Sequence, residues 1–120
     1  MSLDIFFTKK KSDVIGHFKE VDFLVRYFED LGFESGNQSS FEVSKEDIEV
    51  LLSRCKQVIK NHDLAKELLP ITEEIPFENY GYEENYFKDV EGVADYLEGC
   101  LLPKLEELRD GELICFEILQ

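Results

Sequence analysis

Apolar residues along this chain change their spacing several times, and each change marks an element. Leu3 to Thr8 (LDIFFT) is a short run of bulky and β-branched residues bounded by Lys9-Lys10-Lys11 and Ser12-Asp13, which predicts a strand. From about Gly16 the step becomes three and four: Phe18, Val21, Leu24, Val25, Phe28 and Leu31 predict a helix with one buried face, ended by Gly32 as a left-handed C-cap. Residues 33–40 (FESGNQSS) read as loop, and Phe41-Glu42-Val43 is long enough for only a brief strand. Ser44 followed by Asp47 resembles a capping box with Asp in place of Glu or Gln. Behind it Ile48, Leu51, Leu52, Cys55, Val58 and Ile59 form an apolar stripe, predicting an amphipathic helix from Lys45 to about Lys60.

Asn61-His62-Asp63 breaks that pattern, and Asp63 is placed to cap a short helix, Leu64 to Leu69, stopped by Pro70. Ile71 to Glu91 then loses any clear period. Pro76 and Gly81 predict a loop through about Tyr82, and Glu83-Glu84 opens a new helix at its favoured acidic end. Its apolar face is Phe87, Val90, Val93, Ala94, Leu97 and Leu101. Pro103 removes a backbone donor, so it should kink this helix or start a fresh one carrying Leu105 and Leu108. Asp110-Gly111 closes that element, and Glu112 to Leu119 predicts a second strand. The expected architecture is one α+β domain over residues 1–120: three to four helices packed on a small antiparallel sheet that includes the N- and C-terminal strands.

Composition adds a second asymmetry. The 120 residues carry a net charge of -14. Residues 1–60 hold eleven acids and nine bases, whereas residues 61–120 hold sixteen acids and four bases. A phosphate backbone needs clustered Lys and Arg, so direct nucleic-acid binding is not expected; Lys9-Lys10-Lys11 reads as a solvated turn. Basic partners and solubility are what such a charge favours. Cys55, Cys100 and Cys115 are widely spaced in apolar surroundings with no CxxC or Cys/His ligand spacing, so they read as buried thiols of a reducing compartment rather than zinc ligands. MSLDIFFTKKK lacks the charged-then-apolar order of a signal peptide and no run reaches the length of a membrane span, so a cytoplasmic location is expected.

Catalytic signatures are absent. No GxSxG, GxxxxGKS, GxGxxG or HExxH stands in the sequence. His17 sits at a predicted helix start and His62 in a turn, neither beside a Ser or Cys that it could activate. Glu73-Glu74, Glu83-Glu84 and Glu106-Glu107 are adjacent pairs, and neighbours on a helix point about 100° apart, so each is better explained as charge at a helix start or on a solvated face. No cofactor is expected. The remaining feature is the Ile71–Glu91 stretch, with five of the fifteen aromatic residues and seven acids against Lys88 alone. Within it Phe77, Tyr80 and Tyr82 are candidate contacts, because tyrosine joins apolar area to a hydrogen-bonding tip, while Tyr86 and Phe87 are expected in the core, Phe87 lying in register with the apolar stripe of the following helix.

The chain also resembles a family of short uncharacterised proteins encoded by phages and prophages. Met1 to Phe7 is similar to that family's MGLDMYL-type start, and Phe18 to Phe28 to its WRKANAIHxWF helix. Val43 to Pro70 resembles its VSKEDLEELL…LLP block, and Phe77 to Asp89 its GFFFGxxxYDExYFED block. Val25 replaces the family's histidine, Glu20 and Asp22 replace its Lys and Asn, and its phenylalanine-glycine run is reduced to Pro76-Phe77-Glu78. The resemblance implies an accessory protein of phage or bacterial origin, without an assigned activity.

Two functions remain in view. The first is a non-enzymatic interaction protein that meets a protein partner with a basic surface through Glu73, Glu74, Phe77, Tyr80, Tyr82, Glu83 and Glu84, one variant being an acidic mimic of DNA. The second is a small carboxylate- or metal-dependent enzyme built on Glu83, Glu84 and Asp89; convergence of these side chains in a pocket would favour it.

Overall fold

The computed structural model describes residues 4–9, 13–34, 40–71 and 82–119. Strands β1 (Asp4–Lys9), β2 (Asp13–Lys19), β3 (Ser40–Glu42) and β4 (Ile114–Leu119) form one antiparallel sheet in the order β2-β1-β4-β3. The N- and C-terminal strands lie side by side at its centre, with Ile5 opposite Ile118 and Phe7 opposite Phe116. Helices α1 (Asp22–Asp30), α2 (Lys45–Lys60), α3 (Ala65–Leu68), α4 (Glu84–Tyr96) and α5 (Leu102–Glu106) supply the other layer, so the fold is α+β as expected.

One row of side chains explains how the layers meet. Gly16, Phe7, Phe116 and Phe41 stand opposite one another across all four strands and therefore share a face. Phe28 of α1 stacks on Phe116 at 4.1 Å, and Tyr96 of α4 lies 5.7 Å from Phe7 and 5.3 Å from Phe18. The core is thus largely aromatic where sheet meets helix. It becomes aliphatic where α2 meets α4, through buried Ile48, Leu51, Val58, Val90, Val93 and Leu97.

The principal correction falls at residues 13–19. They form strand β2, not the start of a helix, and α1 begins only at Asp22. The three-residue step from Phe18 to Val21 imitated a helical period, but Phe18 pairs with Ile5 across the sheet. Val21 lies beyond a reversal at Glu20, whose φ of 57° is the left-handed conformation that turns the chain from strand to helix. A bulge between Phe7 and Thr8 then lets Val14, and not Ile15, stand opposite Thr8.

Most helix ends follow the sequence closely. Gly32 has φ 115°; its N–H donates to the Glu29 carbonyl while the Phe33 N–H donates to the Phe28 carbonyl at 2.9 Å, a Schellman ending with Phe33 buried behind it. Ser44 Oγ accepts from the Asp47 N–H at 3.2 Å. The short element after α2 differs. Asn61, not Asp63, is the cap, and the first turn, His62–Leu64, is a 3₁₀ turn that leads into α3.

Pro103 neither breaks nor sharply restarts the last helix. The backbone widens into a π turn over Leu97–Leu101, in which the Leu102 N–H reaches back to the Leu97 carbonyl, and α5 continues with proline in its first turn. A wider turn takes up the register change that a proline forces on a helix, since its ring crowds the carbonyl four residues earlier, here that of Gly99. Among the described residues no helix is long and apolar enough to cross a membrane.

Candidate interaction surface

Glu73, Glu74, Phe77 and Tyr80 lie outside the described residues. Tyr82 is half-buried; its hydroxyl accepts from the Ile71 N–H at 3.2 Å, its ring meets Tyr86 edge-on at 5.2 Å, and the Lys66 ammonium lies 5.6 Å above it. Tyr86 is fully buried and donates to the Leu69 carbonyl at 2.7 Å. Burial raises its phenol above the ordinary tyrosine value, with Tyr82 and Cys55 adding to the effect. Arg26 also donates to the Ile71 carbonyl, at 3.3 Å. Tyr82 therefore joins the chain on either side of residues 72–81, and much of its surface is spent on that anchorage rather than offered to solvent. Phe87, expected in the core, is half-buried and stacks on His62 at 3.7 Å.

Glu83 and Glu84 are exposed at the start of α4. Glu84 pairs with Lys88 one turn on, at 3.2 Å. Asp89 is half-buried on the same helix, and among the described residues no three His, Cys, Asp or Glu side chains converge so as to hold a metal ion. The carboxylates of the enzymatic reading thus do not gather into a ligand set of that kind.

The distribution of charge was only partly visible in the sequence. Helix α2 runs antiparallel to the α4–α5 track, and lysines of α2 reach across the seam: Lys45 to Glu106 at 3.3 Å, and Lys56 to Glu98. Lys45 also sits 3.8 Å from Glu49. On the solvent side of the track, Glu91, Asp95, Glu107 and Asp110 are exposed and have no cation partner among the described residues. Glu91 and Asp95 are four residues apart, about 6 Å along the helix axis, and so share one ridge. A shallow groove of about 300 Å³ runs along α2 past Leu52, Ser53, Lys56 and Lys60, with Lys56 already engaged by Glu98.

The remaining reactive groups are dispersed. Cys55 is fully buried, and burial pushes its thiol up to about 12. His17 is on β2, where its Nε2 lies 2.9 Å from Asp4 and its ring stacks on Phe6 at 4.6 Å. Reading a helix from about Gly16 hides this pair; the register of Phe6 opposite His17, on the near side of the bulge, is what reveals it.

Comparisons with known protein families, with characterised proteins and with solved structures give no match to this chain.

Proposed function

We propose that this is a non-enzymatic interaction protein whose partner is a protein with a basic surface. The observation that carries this reading is the imbalance between used and unused charge. Lys45 and Lys56 on α2 are drawn into ion pairs with the α4–α5 track, whereas Glu91, Asp95, Glu107 and Asp110 face solvent with no cation partner among the described residues. Such a surface raises the local concentration of cationic partners and repels nucleic acid and anionic lipid. Acidic mimicry of DNA is one form of the same idea, in which the ridge occupies a basic nucleic-acid site on a host or phage protein. The likeness to phage and prophage proteins fits an accessory role of this type.

The test is binding of the purified protein to a panel of basic DNA-binding proteins at low salt, with and without competing duplex DNA. Capture that DNA displaces and that falls steeply with ionic strength supports the reading; failure of the whole panel to bind at low salt refutes it. The enzymatic alternative is tested by thermal melting with magnesium, calcium, manganese or zinc, since a specific site stabilises by mass action. Absence of a shift at millimolar metal would remove the metal-dependent form.

A further inference from the structure

The helices cover one face of the sheet, and the opposite face has a chemistry of its own. Directly opposed residues on paired strands share a face. The outer rows are therefore Lys19, Asp4 and Leu119; then His17, Phe6, Glu117 and Ser40; then Val14, Thr8, Cys115 and Glu42. The contacts described for Phe6, His17 and Asp4 on this face are with one another. Along it Thr8 is buried, Phe6 and Cys115 are partly buried, and Val14 is 57% exposed.

Two carboxylates border this apolar strip. Glu42 stands opposite Cys115, and Glu117 follows it two residues along β4. Neither has a hydrogen bond or an ion pair with a described residue. Both act on the Cys115 thiol, which burial chiefly and then Glu117 and Glu42 hold above its ordinary value. Negative potential is thus concentrated at the edge of an apolar surface, and no described cation pairs with either carboxylate.

We infer that the outer face of the sheet receives a segment of the protein partner that carries apolar side chains flanked by Lys or Arg, with the cation between Glu42 and Glu117 and the apolar groups on Phe6 and Val14. This rests on the protein-binding reading above and assigns it a second surface. A second copy of the chain is disfavoured as occupant by the net charge of -14 on each molecule, and nucleic acid and anionic lipid by the same charge.

Residue-resolved NMR of the labelled full-length protein tests the assignment, with a short alternating Leu/Lys peptide as probe and a Ser/Lys peptide of equal charge as control. The expected result is that the Leu/Lys peptide shifts Phe6, Thr8, Cys115 and Glu117, and binds on the order of tenfold more weakly to the Glu42→Lys, Glu117→Lys double variant. Glu67→Lys, at an exposed position of α3 outside both acidic surfaces, should leave its affinity within about twofold. Glu42→Lys alone, at an exposed position, repeats the test if the double variant melts early. Shifts confined to α4 and α5, or equal binding of the Ser/Lys control, overturn this inference and leave the protein-binding reading standing. Failure of the basic-protein panel described above is what removes that reading, whatever the peptides do.

Discussion

Gly16 and Tyr96 make a paired prediction whose sign follows from the structure. Gly16 lies on an ordinary strand, where replacing glycine by alanine normally stabilises by about 0.4–1 kcal/mol through the unfolded chain. Here the Tyr96 ring occupies the space that a side chain would take: a β-carbon at residue 16 would lie 2.5 Å from Tyr96 Cζ and 3.0 Å from Cε2. The ring is also held, because its hydroxyl donates to the Ile15 carbonyl at 3.1 Å. Gly16→Ala must therefore push a packed aromatic off Phe7 and Phe18, and overpacking of this kind costs about 1–3 kcal/mol. For a domain of this size that lowers Tm by roughly 4 °C per kcal/mol. Tyr96→Leu vacates the site at its own cost, and in that background Gly16→Ala should be neutral or stabilising. Urea unfolding of the two single variants and the double variant measures the coupling. Additive effects, or a stabilising Gly16→Ala in the native background, would refute the close approach of β2 and α4.

Other outcomes follow from the same contacts. Ser44→Ala removes the acceptor for the Asp47 N–H and should destabilise by about 1 kcal/mol in denaturant unfolding, whereas Ser44→Asp keeps an acceptor there and should retain most of the stability. Burial, with Asp47 adding to it, raises Tyr27 to about 12, and burial likewise holds Tyr86 and Tyr96 above the ordinary value. A phenol that holds its proton more tightly when folded contributes stability that is full below about pH 10 and is lost as pH rises toward 12; the slope is at most about 1.4 kcal/mol per pH unit for each tyrosine, measurable by urea titration across that window. Cys55 should resist thiol reagents in the native protein and react only on unfolding, whereas the half-buried Cys100 should be labelled first; rapid native labelling of Cys55 would contradict its burial. Added sodium chloride should raise Tm, because screening relieves repulsion among uncompensated acids more than it weakens the few exposed ion pairs.

Legibility in the sequence followed the locality of each signal. Ser44, Gly32 and the α2 stripe act within a few residues, and helix ends and faces were readable from them. The pairing of the two terminal strands was also readable, since Leu3–Thr8 and Glu112–Leu119 were the strongest strand patterns and needed each other. Strand β2 was not, because its residues are fixed by what lies opposite them. Phe18 points inward on account of Ile5, and Gly16 is glycine on account of Tyr96, eighty residues away. The aromatic residues at the start of α4 divide in the same way: register with the apolar stripe favours Phe87, which is half-buried, while Tyr86 is the one fully buried through its contact with Leu69, and the use of Tyr82 as an anchor depends on Ile71 and Lys66.

Cation placement connects the fold to the proposed function. Lys9, Arg26, Lys45, Arg54, Lys56, Lys66 and Lys88 each engage a carboxylate, a carbonyl or a ring of the same chain. Lys45, Lys56 and Lys9 join separate elements: α2 to the α4–α5 track twice, and β1 to the turn before β4. Reversing any of these three would therefore loosen a junction as well as alter the field. Glu91, Asp95, Glu42 and Glu117 have no ion pair with a described residue, so their charges can be changed with little cost to those junctions. That division makes the acids the appropriate targets for separating binding from folding: a variant that loses a basic partner while melting at the native temperature has lost a contact, not the fold.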